Sequence, residues 1–88
     1  MLSMRYLGEV RAICDDRFSL VDAQVACREL YGSNIVISYV SAQTCDFDNF
    51  WLDEVVCEGA EEALDECVHA AWGVHNCNPE SECVVVYC

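Results

Sequence analysis

Eighty-eight residues carry 8 cysteines, 16 acidic and only 4 basic side chains, for a net charge of −12. One small domain is expected over residues 1–88, with too little core to stand on packing alone. The charge excludes nucleic acid as a partner, opposes anionic membranes and favours cations or basic patches on other proteins.

The first residues, Leu2 to Ile13, alternate loosely and predict a strand. Ser19-Leu20-Val21-Asp22 has the form of a capping box, a serine with an acid three residues on. It predicts a helix through about Leu30, with Val21, Val25, Ala26 and Leu30 on one face, stopped at Tyr31-Gly32-Ser33-Asn34. Ile35 to Val40 and Trp51 to Val56 are rich in β-formers, and Glu61 to Cys67 predicts a short helical turn. Val84 to Tyr87 is apolar throughout and predicts a final strand buried on both faces. Together these elements predict an α+β domain. No apolar run reaches the roughly 18 residues a membrane helix needs. No leader precedes the domain-like sequence, so a mature fragment or an excised domain is expected.

The stretch CVHAAWGVHNC, from Cys67 to Cys77, brackets His69 and His75 between two cysteines. It admits a zinc clip, a thiol and imidazole pair, or two members of a disulfide framework. Zinc ligands come in close pairs that one turn can present, and this chain has no C-x-x-C. Its cysteines stand mostly ten or more apart, a spacing suited to long-range bridges in an oxidising compartment.

Three segments carry a family resemblance: ICDDRFSLVDAQVACREL, WLDEVVCEGAEEALDEC and AWGVHNC. In order and spacing they resemble the scavenger receptor cysteine-rich domain over almost the whole chain. The resemblance implies a small disulfide-rich fold in which a curved antiparallel sheet cradles one main α-helix. It implies bridges Cys14 to Cys77, Cys27 to Cys88 and Cys57 to Cys67, as in the six-cysteine group of that family. Cys45 and Cys83 fall outside that pattern and are paired by elimination. No free thiol then remains for zinc or for nucleophilic attack. His75 is expected to be a packed turn residue, His69 a surface one and Trp72 part of the core.

Asp15 and Asp16 on spacing alone read as solvated turn residues. The resemblance implies instead a cation site made by Asp15, Asp16 and Glu82, with Glu80 close by. It implies a second site from Asp22, Asp53 and Asn76. Asp22 can equally close the capping box, and Asn76 can equally serve as a turn former. Converging carboxylates without a basic partner suit a hard divalent ion: weakly held Ca2+, with Mg2+ as the alternative. Phe47 and Phe50, ringed by Asp46 and Asp48, read either as exposed anchors for a ligand or as a lid on the core.

Only Arg5, Arg11, Arg17 and Arg28 are basic, so capture of a polyanion by arginines alone is not expected. No nucleophile and base or catalytic metal set can be assembled. The expected function is an extracellular, non-enzymatic recognition module. It would take protein or glycan ligands through a cation-dependent acidic face, with polyanions reached through a bridging cation and no direct membrane insertion. The alternative is an accessory domain attached to an extracellular enzyme such as a protease or oxidase.

Overall fold

The computed structural model describes residues 1–33 and 35–88. The first strand pair is β1 (Ser3–Tyr6) and β2 (Glu9–Ile13), antiparallel with Tyr6 opposite Glu9. Leu7 and Gly8 form the two-residue turn, both at positive φ (53° and 80°), as a turn that matches the right-handed twist of a hairpin demands. The single strand expected from Leu2 to Ile13 is therefore a hairpin. Gly8 was the signal, disguised by an apolar Leu7 where asparagine or aspartate is the usual occupant; Leu7 is 83% exposed.

Helix α1 (Leu20–Tyr31) starts on the predicted capping box. Gly32 ends it in the left-handed conformation (φ 73°), donating its N–H to the Arg28 carbonyl at 2.8 Å. Asn34, the last residue of the predicted stop, lies outside the described residues. The buried face is Asp22, Ala23, Val25, Ala26 and Cys27. Leu30 is exposed, a departure from the predicted face, because the final turn of α1 runs past the core with Glu29 and Tyr31 also exposed.

The α+β class with one main helix holds, and the sheet comes in two pieces. β4 (Phe50–Leu52) pairs in parallel with β2, so one ladder departs from the expected antiparallel pattern. β3 (Ser38–Gln43) pairs antiparallel with β5 (Cys83–Tyr87). An antiparallel backbone pairing of Cys14 with Cys83 and the Leu2 N–H to Val84 carbonyl bond (2.9 Å) stitch the pieces together. β3 starts later than expected, at Ser38. β4 stops at Leu52, two residues before Glu54 takes a positive φ of 54°. In β5, Cys83 and Val84 are fully buried, while Val85 and Val86 are half-buried and Tyr87 is exposed. Burial on both faces therefore fails beyond Val84. The predicted turn near Glu61 to Cys67 is a 3-10 turn at Leu64–Glu66, with Leu64 buried.

The main core packs Ile13, Val25, Leu52, Val55, Leu64 and Val84. Four bridges hold it: Cys14–Cys77, Cys27–Cys88, Cys45–Cys83 and Cys57–Cys67, spanning 63, 61, 38 and 10 residues. Closing a loop of about 60 residues is worth roughly 4 kcal/mol on chain-entropy grounds, comparable with the whole stability of a marginal domain.

Candidate cation centre

The centre is assembled by one strand end and one turn. Cys14 closes β2 by donating its N–H to the Leu52 carbonyl at 3.0 Å, and Asp15 N–H donates to the Glu82 carbonyl at 2.9 Å. Asp15 and Glu82 are thus adjacent on neighbouring backbone segments. The chain then turns through Arg17, exposed and at φ 64°, so that Phe18 N–H donates to the Asp15 carbonyl at 3.0 Å. The Cys14–Cys77 bridge holds the opposite segment close. In it, Ser81 and Glu82 N–H groups donate to the Asn78 carbonyl at 3.1 and 3.0 Å.

One carboxylate oxygen from each of Asp15, Asp16 and Glu82 lies within 4.8 Å of the others. Asp15 Oδ2 also accepts the Ala42 N–H at 2.7 Å, and Glu82 Oε2 accepts the Asn78 N–H. Glu80 joins the same turn through its backbone, with its N–H donating to Asn78 Oδ1 at 2.9 Å and its carbonyl accepting the Thr44 hydroxyl at 3.0 Å. Its carboxylate is outside the group.

Asp16 also belongs to a second group with Asp53, and Asp53 is buried. With its amide nitrogen turned toward them, Asn76 donates to Asp16 Oδ2 at 3.1 Å and to Asp53 Oδ2 at 3.3 Å. Asp16 is therefore the hub of a continuous acidic line, Asp15, Glu82, Asp16, Asp53. Partial burial, first of all, pushes the Asp16 carboxyl above the ordinary range; the negative charges of Asp53 and Asp15 push the same way, against a hydrogen bond with Glu82. Among the described residues the ion pair formed is Arg11 with Glu9, so no arginine is ion-paired to this line; Arg17, which follows Asp16, is exposed. The sulfur of Cys14 lies in both groups and that of Cys77 in the Asp16–Asp53 group, but the two are bonded to each other. The donors that remain are oxygens, the set that fits a hard divalent ion and not zinc.

Asp22 is placed elsewhere. It is 1% exposed. Its Oδ2 accepts the Ser19 N–H at 2.7 Å and hydroxyl at 3.1 Å, and its Oδ1 accepts the Cys57 N–H at 2.7 Å. Its oxygens tie the start of α1 to the Cys57 segment, and among the described residues it joins no ligand group with Asp53. Phe50 is fully buried, in a cluster with Ala12, Cys14, Cys77 and Cys83, and half-buried Phe47 packs against it. Phe50 is a core residue and not an exposed ligand anchor, because the parallel pairing of β4 with β2 turns it inward.

His75 locks the turn before Cys77. Its Nδ1 accepts the Cys77 N–H at 3.1 Å, which leaves Nε2–H to donate to Asn49 Oδ1 at 2.6 Å. Trp72 is half-buried and stacks on Tyr6 with centroids 3.8 Å apart, and His69 meets the Trp72 ring edge-on at 5.5 Å. Sequence reasoning missed the link through Asp16 that joins the two acid sets, and the Ala42 N–H on Asp15. Neither has a sequence signal, since both depend on how loops distant in the chain meet.

The family model of the scavenger receptor cysteine-rich domain matches residues 1–88. The chain belongs to that family. A scavenger receptor cysteine-rich domain superfamily protein of Patiria pectinifera is 36% identical over 80 residues, covering 90% of this chain and 7% of that protein. Lysyl oxidase homolog 4 of Mus musculus is 38% identical over 88 residues, covering 99% of this chain and 12% of that protein. The chain thus spans a small part of the length of the curated relatives it matches. Among solved structures, the dimeric form of the SRCR domain of mouse MARCO superposes with a TM-score of 0.84 at 36% identity, covering 96% of this chain and 80% of that one. As a scavenger receptor cysteine-rich domain, the chain is a non-catalytic module of a kind found in extracellular and secreted proteins, where such domains mediate protein interactions. Among the described residues no helix is long and apolar enough to cross a membrane.

Proposed function

We propose that this domain recognises protein or glycan ligands through a divalent cation held by Asp15, Asp16 and Glu82, with Asp53 and Asn76 extending the site behind Asp16. The observation that carries the reading is the convergence of three carboxylates within 4.8 Å of one another with, among the described residues, no basic side chain ion-paired to them. Like charges so placed repel, and an ion with oxygen preference relieves that repulsion. Donors supplied by separate turns favour Ca2+, which tolerates irregular geometry, over Mg2+, which does not. Affinity on the order of 0.1–1 mM is expected, as for extracellular calcium modules. When bound, the ion supplies a positive point on an acidic surface, to which an anionic group of a ligand can attach. Asp15 is oriented for this by the Ala42 N–H and Glu82 by the Asn78 N–H.

The test is surface plasmon resonance on immobilised heparin, a polyanion probe, in millimolar calcium and in EDTA. Calcium-dependent capture that Asp16→Asn removes supports a bridging ion. Capture that is equal in both buffers, or absent from both, defeats bridging to polyanions.

A second reading follows from the 38% identity to a segment of lysyl oxidase homolog 4. The domain would then serve as an accessory unit of a larger extracellular enzyme, positioning substrate without touching the chemistry. Fused to a lysyl oxidase type catalytic domain, it should lower KM for a macromolecular substrate and leave kcat unchanged.

A further inference from the structure

The surface of this acidic domain has one long uncharged stretch. From Tyr31 to Cys45 the chain contains no Asp, Glu, Lys, Arg or His. That stretch includes β3, whose sheet, among the described residues, contains only β3 and β5. The far side of β5 is met by the Leu2 N–H at Val84, so among the described residues β3 is the open edge. Natural edge strands are usually protected by charge, proline or brevity. β3 and its approach have neither charge nor proline; a bulge between Val40 and Gln43, with Ala42 at φ 57°, confines the regular edge to Ser38–Val40, and next to it Ile35 and Ile37 are 71% and 77% exposed, with Val40 also exposed. At its start the edge adjoins a cleft of about 600 Å³ lined by Leu2, Leu30, Tyr31, Ile35 and Val86.

The other end of the strand is acidic. Ala42 donates its N–H to Asp15, Gln43 lies opposite Cys83 beside Glu82, and exposed Asp46 follows Cys45. The edge therefore grades from an apolar cleft to a cluster of carboxylates over about 20 Å, the length of a six-residue strand. A second copy of this chain fits that gradient badly: each copy carries a net charge of −12, and antiparallel pairing of two β3 edges would lay the apolar start of one against the carboxylates of the other. A cationic strand fits it well.

We propose that the β3 edge docks an extended segment of a basic partner protein by strand addition. Backbone hydrogen bonds to β3 supply the affinity, and apolar side chains of the segment cover Ile35 and Ile37 and enter the cleft. Lysines or arginines stand at the end that meets Asp15, Asp46 and Glu82. With antiparallel addition that is the segment's N-terminal end.

The test uses fluorescence anisotropy in EDTA, which keeps it independent of any cation. The probe is a labelled peptide of two lysines followed by alternating threonine and valine. Strand addition predicts binding that weakens with salt and falls at least about tenfold in three cases. These are replacement of the peptide lysines by glutamates, N-methylation of its central valines, and Ile37→Lys in the domain. Ile37 is exposed, so that variant folds, and near-UV circular dichroism verifies it. Binding that survives N-methylation or Ile37→Lys, or no binding of the lysine peptide, overturns the proposal. Sedimentation of the wild type as a dimer that Ile37→Lys dissociates also overturns it, by making a second copy the occupant.

Discussion

Removing the Asp22 carboxylate should cost this domain a large share of its stability while sparing cation binding. Asp22 is buried and accepts the Cys57 N–H at 2.7 Å, a contact 35 residues distant in sequence. In Asp22→Ala that buried N–H loses its partner, a penalty of about 1–3 kcal/mol. The lost cap at Ser19 adds about 1 kcal/mol, and the lost negative charge at the start of α1 adds roughly 0.3–1 kcal/mol. The expected total is about 2–5 kcal/mol. At about 4–8 °C per kcal/mol for a domain of this size, the melting temperature should fall by roughly 10–40 °C. Asp22→Asn keeps an oxygen for Cys57 but turns its amide group toward the Ser19 donors, so it should cost less, about 1–2 kcal/mol. Guanidinium unfolding with the disulfides intact, followed by tryptophan fluorescence, measures both variants. A cost below about 1 kcal/mol for Asp22→Ala would refute the structural role. Unchanged stability with weakened calcium binding would instead make Asp22 a ligand.

Three further outcomes can be measured on the same material. Joint replacement of Cys45 and Cys83 by alanine should leave the fold intact and cost about 2–4 kcal/mol. It should also speed hydrogen exchange at Ala42, near the end of β3 that the bridge ties to β5; unchanged exchange would separate the bridge from the acidic centre. Phe50→Ala should destabilise by about 3–5 kcal/mol, and Phe47→Ala, at the edge of the same cluster, by clearly less; the reverse order would make Phe50 a surface anchor after all. Glu61 is held below its ordinary value of 4.5 by the N–H groups of Glu58, Glu61 and Gly59. Its contribution is present above pH 4.5 and lost as pH falls through the lower folded value. Glu61→Gln should therefore be less stable than wild type at neutral pH and converge with it in strong acid, as pH-resolved denaturation curves would record.

The features legible in the sequence are those with a local cause or a covalent one. Ser19 and Asp22 announce the start of α1 because a capping box needs only neighbours. The bridges follow from cysteine positions once the family pattern is matched. Trp72 and His75 occupy a turn whose glycine, Gly73, has a φ of 76° and faces the Trp51 ring, so the motif around them is a packing unit more than a chemical one. The illegible features are those decided by loops distant in the chain. Nothing in the spacing places Asp53 beside Asp16, or gives Asp22 to Cys57 and not to a cation. The Leu2 to Ile13 stretch misled for a different reason: an apolar Leu7 at the hairpin tip continues the strand pattern through a turn. The same holds at β5, where an apolar run reports β-propensity but only its first half is covered.

Calcium titration calorimetry on the oxidised domain tests the central claim most directly. The account predicts binding with a Kd on the order of 0.1–1 mM, accompanied by a rise in melting temperature. Asp16→Asn and Glu82→Gln should each abolish both effects. No heat and no thermal shift in the wild type, or calcium binding that both variants retain, would contradict it.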